Sequence, residues 1–482
     1  MQRLLLLLIT AFLFSCPIFS KEELFDNPID YDSNKACKLN EYCKRNIDDI
    51  DLEKYIKKEL ENNYIAVSLD ECLDVALKNN FDIQIVYHQY KSSKYEYEYS
   101  LAKFLPEFST TSYIADYRGQ ILVGGVLNDR FHETALSVNM TAQHHLTKGG
   151  QEIFEAKAAK YFKKSKEHNN NFTKSQVIYL TSKYYYQMLL AKINIEIYLR
   201  NYIERNAQLA LTISQEKSGF GTHFDVIRSK NESADAKVKL LNALNQFRMS
   251  QSRLANIMGI EVQTALMPIE TQVNELNLIE NNEDINTLFD LALNNREDLK
   301  EYDDLIKYER EIKKAYITEY FPKPLVNFQQ QFQGTIATSV HPNYIVAGYL
   351  TWQPGEYLGV GTYKKIKNQQ EKIQTRKLEY ENLKRNIFQA LIDSTSTSNF
   401  NKRQIEINKK RVNYAQESIK LATLRFKYGK GILLDVIQAQ SEMTTARVQY
   451  VASVINYNIS QLETLYNLGK ITKESIIKNY NP

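Results

Sequence analysis

The sequence predicts a mainly helical fold with a small β part, built as two internal repeats. Three observations predict it. Gly (16) and Pro (9) are scarce in 482 residues, about 5% against a typical ~12%, so the elements are few and long. A helical pattern of apolar residues recurs at a fixed offset. Between the helices the hydrophobic period changes to two.

The recurrence is clearest at two helix starts. Leu69, Cys72, Leu73, Ala76 and Leu77 share their spacing with Ile285, Leu288, Phe289, Ala292 and Leu293, and that spacing makes one apolar helix face. At the same offset of 216 lie Asn79 and Asn295, Asp82 and Asp298, Pro106 and Pro322. Ser68 with Glu71 reads as a capping box, and Asp284 stands at the matching position. Further on, the offset is 210, pairing Gly149 with Gly359, Gly219 with Gly429, Gly221 with Gly431, Asp225 with Asp435 and Gly259 with Gly469. The change falls between Pro106 and Gly149, so only that connection differs in length. Residues 68–259 therefore form one repeat and residues 284–469 a second. Between them lies a linker, 260–283, expected to form a belt outside the helices, and a tail, 470–482, follows.

Gaps between glycines and prolines set the helix lengths. Residues 151–218 and 362–428 contain neither, which gives two helices of about 100 Å at about 1.5 Å per residue. Residues 222–258, 432–468 and 69–105 are 37 residues each. Each repeat then reads as one long helix beside two short ones in series. Ile366, Ile373, Tyr380 and Ile387 step by seven, as do Ile405, Val412, Ile419 and Phe426. The 18-residue gap between these runs holds the polar stretch 393–399 and locally unwinds a supercoil. A long antiparallel coiled coil without a pore would give the same pattern.

After each proline the residues alternate. Leu136, Val138, Met140 and Ala142 oppose Ser137, Asn139, Thr141 and Gln143, and Val326, Phe328 and Phe332 oppose Asn327, Gln329 and Gln331. Residues 344–353 continue the pattern and residues 107–117 show it weakly. Strands of about 9–13 residues, apolar on one face, suit an outer-membrane barrel, although a soluble hairpin cap with one buried face would read alike. Closure separates the two. In lipid a sheet edge cannot stay unpaired, and the four strands of one chain are too few to enclose a lumen. Three chains would give twelve strands, a 12-stranded β-barrel, and, if the same symmetry continues below, twelve long helical columns as a trimeric α-helical barrel of long coiled-coil helices.

The N-terminus reads as a signal segment, residues 1–20: Arg3 and then an apolar run from Leu4 to Phe14, too short to span a bilayer. Leu13-Phe14-Ser15-Cys16 resembles a lipobox that would make Cys16 an acylated first residue; ordinary cleavage near Ser20 is the alternative. In an oxidising compartment Cys37 and Cys43 could close a local disulfide, or remain thiols. Cys72 lies on an apolar helix face and reads as core. The extension 21–67 matches neither repeat, and within it residues 52–61 look like a short charged helix. With 61 Lys+Arg against 57 Asp+Glu, nothing points to nucleic acid.

The helix starts Leu73 to Asp82 and Phe289 to Asp298, the prolines Pro106 and Pro322, and two turn motifs carry a family resemblance. The motifs are Ser218-Gly219-Phe220-Gly221-Thr222-His223-Phe224-Asp225-Val226 and Tyr428-Gly429-Lys430-Gly431-Ile432-Leu433-Leu434-Asp435-Val436, the second continuing into Ile437-Gln438-Ala439-Gln440. In these the chain resembles the TolC-like outer-membrane factors. The resemblance implies a homotrimer in the outer membrane of a Gram-negative bacterium, in contact with outer-membrane lipid and extending through the periplasm. It implies a channel-tunnel for efflux or type I secretion, docked through a periplasmic adaptor protein onto an inner-membrane transporter, with the tip turns at Gly219, Gly221, Gly429 and Gly431 as the docking end. A lipidated Cys16 fits as well.

No G-x-S-x-G, P-loop or H-E-x-x-H is present, and the adjacent His144 and His145 point to opposite strand faces. No enzyme, cofactor or metal site is therefore expected. The tip glycines permit a sharp helix reversal. Asp225 and Asp435 fall in the first turn of the returning helices, where Thr222 with Asp225 makes a capping-box-like pair. Alternatively, copies of Asp435 and Asp225 ring the mouth of a tunnel and favour cations. The resemblance implies such a periplasmic gate; in its best-known members a second aspartate follows three residues on, where this chain has Gln438, with Arg228 at the first-copy equivalent. The competing reading of the whole chain is a secreted or lipid-anchored coiled-coil scaffold that binds partners.

Overall fold

The computed structural model describes residues 64–478, except 124–125, 147, 280–283 and 336–340. In chain order its elements are β1 (Ile65–Val67), α1 (Leu69–Asn79), α2 (Phe81–Ala102), β2 (Glu107–Val123), β3 (Val126–His145), α3 (Gln151–Lys217), α4 (His223–Ile257) and β4 (Leu266–Pro268). The second half repeats the order with α5 (Ile285–Asn295), α6 (Glu297–Ile317), β5 (Lys323–Thr335), β6 (His341–Thr351), α7 (Val360–Lys427) and α8 (Leu433–Asn467), and a short α9 (Lys473–Ile477) follows.

The long helices are α3 (67 residues) and α7 (68 residues). The short ones stand in series beside them, but the stretch 69–105, expected as one helix, is two. Asn80 ends α1 and caps α2 with extended backbone angles (φ −60°, ψ 128°). Its side-chain oxygen accepts the Ile83 N–H at 3.1 Å and its amide donates to the Ile257 carbonyl at 2.8 Å, on the last turn of α4. Arg296 likewise separates α5 from α6 and donates to the Asn467 carbonyl at the end of α8 (3.2 Å), but its side chain makes no cap on α6. Neither break contains Gly or Pro; the polar side chain satisfies backbone groups that two helix ends would leave orphaned. The Ser68–Glu71 capping box forms as expected. Asp284 is the first residue of its cap but makes no side-chain bond to the helix, receiving the Asn286 amide instead.

Taking the sheet as the top, α3 packs on α2 and α6 above and on α4 and α8 below, and α7 packs on α6 above and α8 below. The chain is thus a wall of four helical columns: α2 over α4, α3, α6 over α8, and α7. In its upper half α7 buries Ile373 and Ile387 on the side of α5 and α6, and in its lower half the α7–α8 seam buries Ile405, Val454 and Tyr457. In the polar gap the seam continues through buried Ser394, Ser398 and Asn401. There Gln461 donates to Ser398 (2.7 Å) and Asn467 to Ser394 (3.3 Å), so the polar groups stay satisfied.

The largest apolar cluster sits where the short columns meet, with Leu69, Cys72, Leu73, Tyr185, Met188, Phe247 and Leu254 fully covered. Burial pushes the free Cys72 thiol up. Across this level β1 pairs in parallel with β4, joining the segment before the first repeat to the linker. The linker then lies against α8: Asn458 accepts the Leu276 N–H at 2.9 Å and Gln461 the Ile279 N–H at 3.0 Å. The signal segment, Cys16, Cys37, Cys43 and the helix expected over 52–61 lie outside the described residues.

The four strands form one antiparallel sheet in the order β2-β3-β5-β6. At 17 and 20 residues, β2 and β3 are longer than expected; β5 and β6 have 13 and 11. The register sets Phe108 opposite Ala142, Ala142 opposite Phe328, and Phe328 opposite Val346. One face therefore carries Val138, Met140, Val326, Phe332, Leu350 and Trp352, and the other carries Asn139, Gln143, Asn327, Gln329 and Gln331. No described helix is long and apolar enough to cross a membrane.

Candidate functional site at the helix tips and open edges

Both tips are sharp reversals at glycine. Gly219 (φ +75°) and Gly429 (φ +68°) take the left-handed conformation that lets a helix end abruptly. At the first tip the Phe220 and Gly221 N–H groups share the Gln215 carbonyl (2.9 and 3.1 Å), and at the second the Lys430 N–H bonds the Arg425 carbonyl (2.8 Å). A Cβ on Gly221 or Gly431 would lie 3.1 Å from the Cβ of Gln215 or Arg425, inside the turn of the incoming helix. Phe220, Phe224, Tyr428 and Ile432 stand exposed around these turns.

The two aspartates differ. Asp225 caps α4 with Thr222 reciprocally: the Asp225 N–H donates to the Thr222 hydroxyl oxygen (3.2 Å), whose own O–H reaches the carboxylate (2.6 Å). In the second copy Ile432 occupies the capping position and makes no side-chain cap, and Asp435 is exposed. Gln438, also exposed, donates to Glu442 at 3.1 Å. Asp435, Glu442, Gln449 and Asn456 step by seven along one exposed face of α8. Two residues past Asn456, on the opposite face, Asn458 holds the linker. Asp435 therefore lies on the side of the wall facing away from the linker.

Above the tips, α3, α4 and α8 are tied by one arginine. Arg205, buried, donates to the Ile437 carbonyl (3.1 Å) and pairs with Glu232 at 3.6 Å. Burial lowers its pKa against the pull of Glu232. A cleft of about 180 Å³ opens beside it, with Asn201, Asp235 and Thr444 among its walls. Sequence reading missed Arg205, because nothing marks one arginine in a long charged helix whose partner is 232 residues away. Among the described residues no group of acidic, His or Cys side chains is placed to hold a metal ion.

The wall has two open sides. In the sheet, β2 and β6 each lack a neighbour on one edge. Among the helices, α2 and α4 stand at one end and α7 at the other. On α7, Phe400, Ile407, Tyr414 and Leu421 step by seven, followed at the same interval by the C-cap Tyr428, and each is more than half exposed. That is a second apolar seam beside the one occupied by α8.

Residues 72–260 match the family model described as Outer membrane efflux protein. No curated protein sequence matches the chain. Solved structures do. The Campylobacter jejuni CmeC outer membrane channel aligns with 13% identity over 85% of this chain and 88% of that one, TM-score 0.75. VceC, an outer membrane protein of Vibrio cholerae, aligns with 14% identity over 83% and 96%, TM-score 0.71. The open state of the Neisseria gonorrhoeae MtrE outer membrane channel aligns with 15% identity over 83% and 88%, TM-score 0.67. At such identities the likeness is one of fold.

Proposed function

For a chain with an outer membrane efflux protein domain over residues 72–260 and the fold of outer-membrane channels, we propose a passive efflux duct that closes as a homotrimer. One observation carries this reading: the open edges come in matching pairs at every level. The free edge of β6 faces outward on the same side as α7, and the free edge of β2 on the same side as α2 and α4. A sheet with one apolar face in lipid must pair its edges, and a fourth copy of this arc is not needed to reach a closable barrel. The exposed α7 seam, Phe400 through Tyr428, supplies the helical counterpart: a knob row that a neighbouring copy's α4 would fill.

In the closed assembly the polar sheet face and the Asp435–Asn456 face of α8 line the lumen. Copies of Asp435 then meet near the axis at the lower end, where like charges repel and attract cations, and salt weakens both effects. Asp225, committed to its cap, contributes less. Gln438 bonds Glu442 along the same face, so the acidic group below the middle of the duct is Asp435 with Glu442. The duct performs no chemical step; a separate inner-membrane pump drives transport, and a periplasmic adaptor protein joins the two at the exposed tip turns.

The test is assembly coupled to conduction. Purified protein should run as a trimer by light scattering in detergent and conduct ions in planar bilayers. Ile407→Lys should leave the helices folded by circular dichroism and shift the population to monomers. A monomer that neither assembles nor conducts would sink the reading and favour a scaffold.

A further inference from the structure

The turn joining β6 to α7 holds two bulky apolar residues in a conformation they avoid. Tyr357 (φ +50°) and Leu358 (φ +59°) both lie in the left-handed region, and they are 85% and 94% exposed. That backbone crowds the Cβ and is held only where the surroundings impose it. Here they do. The Thr362 hydroxyl accepts the Glu356 N–H (3.0 Å) and donates to Glu319 (2.7 Å). Lys365 binds Glu356 (2.7 Å), and the Tyr320 hydroxyl donates to the Gly359 carbonyl (2.8 Å). A Cβ on Gly359 would sit 2.9 Å from the Pro354 carbonyl oxygen, and one on Gly361 would sit 2.9 Å from the Tyr357 ring. The turn is thus a rigid mount for two side chains that touch little of their own chain.

The first repeat shows that the turn does not require them. Counted back from the helix starts at Gln151 and Val360, Leu358 corresponds to Gly149 (φ +71°) and Tyr357 to Lys148 (φ +38°), which pairs with Glu152 at 3.2 Å. The same bend can carry an ion-paired lysine and a glycine, so an exposed Tyr and Leu are not a demand of the fold.

We infer that Tyr357 and Leu358 are an interfacial wedge, inserted into the inner glycerophospholipid leaflet of the outer membrane; the inference rests on the channel reading above. Two observations choose lipid as the occupant. The wedge continues the apolar sheet face, since Val346, Leu350 and Trp352 lie on one side of β6 and the Trp352 indole N–H is anchored to the Tyr320 carbonyl at 3.1 Å. Just beyond, the first turns of α7 present exposed Lys364 and Lys367, the latter over the Tyr363 ring at 5.7 Å. Aromatic and aliphatic side chains followed by lysines match the sequence of acyl chain, interface and phosphate met on leaving a bilayer.

Trp352 is the only tryptophan in the chain, which makes the test direct. Full-length protein carrying Leu358→Trp and Trp352→Phe is reconstituted into vesicles of phosphatidylethanolamine and phosphatidylglycerol, with or without bromine at acyl carbons six and seven. The unaltered chain is the reference. Seated about 5–10 Å into the leaflet, the residue 358 reporter should lose about half its emission to the brominated lipid. Emission indifferent to bromine overturns the inference, as does an interchain disulfide between Leu358→Cys and Leu105→Cys, which would seat the wedge on a neighbouring copy. Ion flux through the same vesicles keeps the two readings apart. Conducting vesicles with an unquenched reporter overturn the wedge alone, whereas failure of the channel reading shows as vesicles that do not conduct.

Discussion

The Asn80 amide reaches the Ile257 carbonyl at 2.8 Å, so the residue that separates α1 from α2 also closes the end of α4. The neighbouring Gly259 makes the approach possible: with φ +67°, a Cβ there would fall 2.3 Å from the Asn79 carbonyl oxygen. Gly469 repeats the arrangement against Arg296 at 3.0 Å.

Gly259→Ala should therefore be among the most damaging small substitutions in the chain. Backbone strain and overpacking together should cost on the order of 2–4 kcal/mol. Urea denaturation should show a lower midpoint with an unchanged slope. Gly219→Ala, where an added Cβ meets nothing within 4 Å, should cost only the positive-φ penalty of about 1–2 kcal/mol.

These junctions mark how far the sequence could be read. Long helices were legible because breakers are absent: α3 and α7 end within two residues of the flanking glycines. The break at Asn80 was not, because an asparagine cap inside an unbroken polar stretch leaves no signature until its partner, 177 residues away, is in place. The β1–β4 pairing is three residues long, too short to show a period. At the tips, Thr222 and Asp225 were legible as a local pair three residues apart. Arg205 was not, since its worth lies in a distant carbonyl. The extra length of β2 escaped notice because its alternation is interrupted at Gly119, where the register shifts.

Asp225 and Asp435 should separate in a paired experiment. Asp225→Ala removes a reciprocal cap and should lower stability by about 1 kcal/mol with a modest effect on current. Asp435→Ala should leave the melting curve in place and raise single-channel conductance while reducing cation preference. Reversal potentials across a salt gradient give the second quantity.

Arg205 holds the α8 tip region to α3 and α4. Arg205→Met should remove the charged donor on the Ile437 carbonyl and the pairing with Glu232, at a cost of about 1–3 kcal/mol. Because the lost tie is local, hydrogen exchange should rise most around residues 433–445 of α8, with the sheet unaffected. Uniform exchange across all four columns would contradict this role.

Acid should weaken the upper wall through Glu297. Burial pushes its carboxyl up, but hydrogen bonds from Lys300 and His168 outweigh that and hold it below the usual range. His168 sits at 2.6 Å from Glu297 and 3.6 Å from Asp304. A carboxyl depressed on folding stabilises the fold above its unfolded value of about 4.3, and that stability is lost as pH falls through the lower folded value. Glu301, raised chiefly by burial, acts in the opposite sense. The difference between the unaltered chain and Glu297→Gln, measured by denaturation from neutral pH to pH about 3, isolates the Glu297 contribution and should shrink toward the acid end.

The unequal strands have an architectural outcome. At its far end β5 stops at Thr335, opposite Ala135, while β3 runs on to Val126. About 30 Å of two-stranded ribbon, at about 3.4 Å per residue, thus outruns its β5 companion. Repeated around a threefold axis, such ribbons would make the cell's exterior meet a crown of three prongs instead of a level rim. Among the described residues the ribbon beyond Ala135 pairs only strand to strand within its own hairpin, and on the channel reading proposed above epitopes grafted beyond the β5 end should be carried with least disturbance.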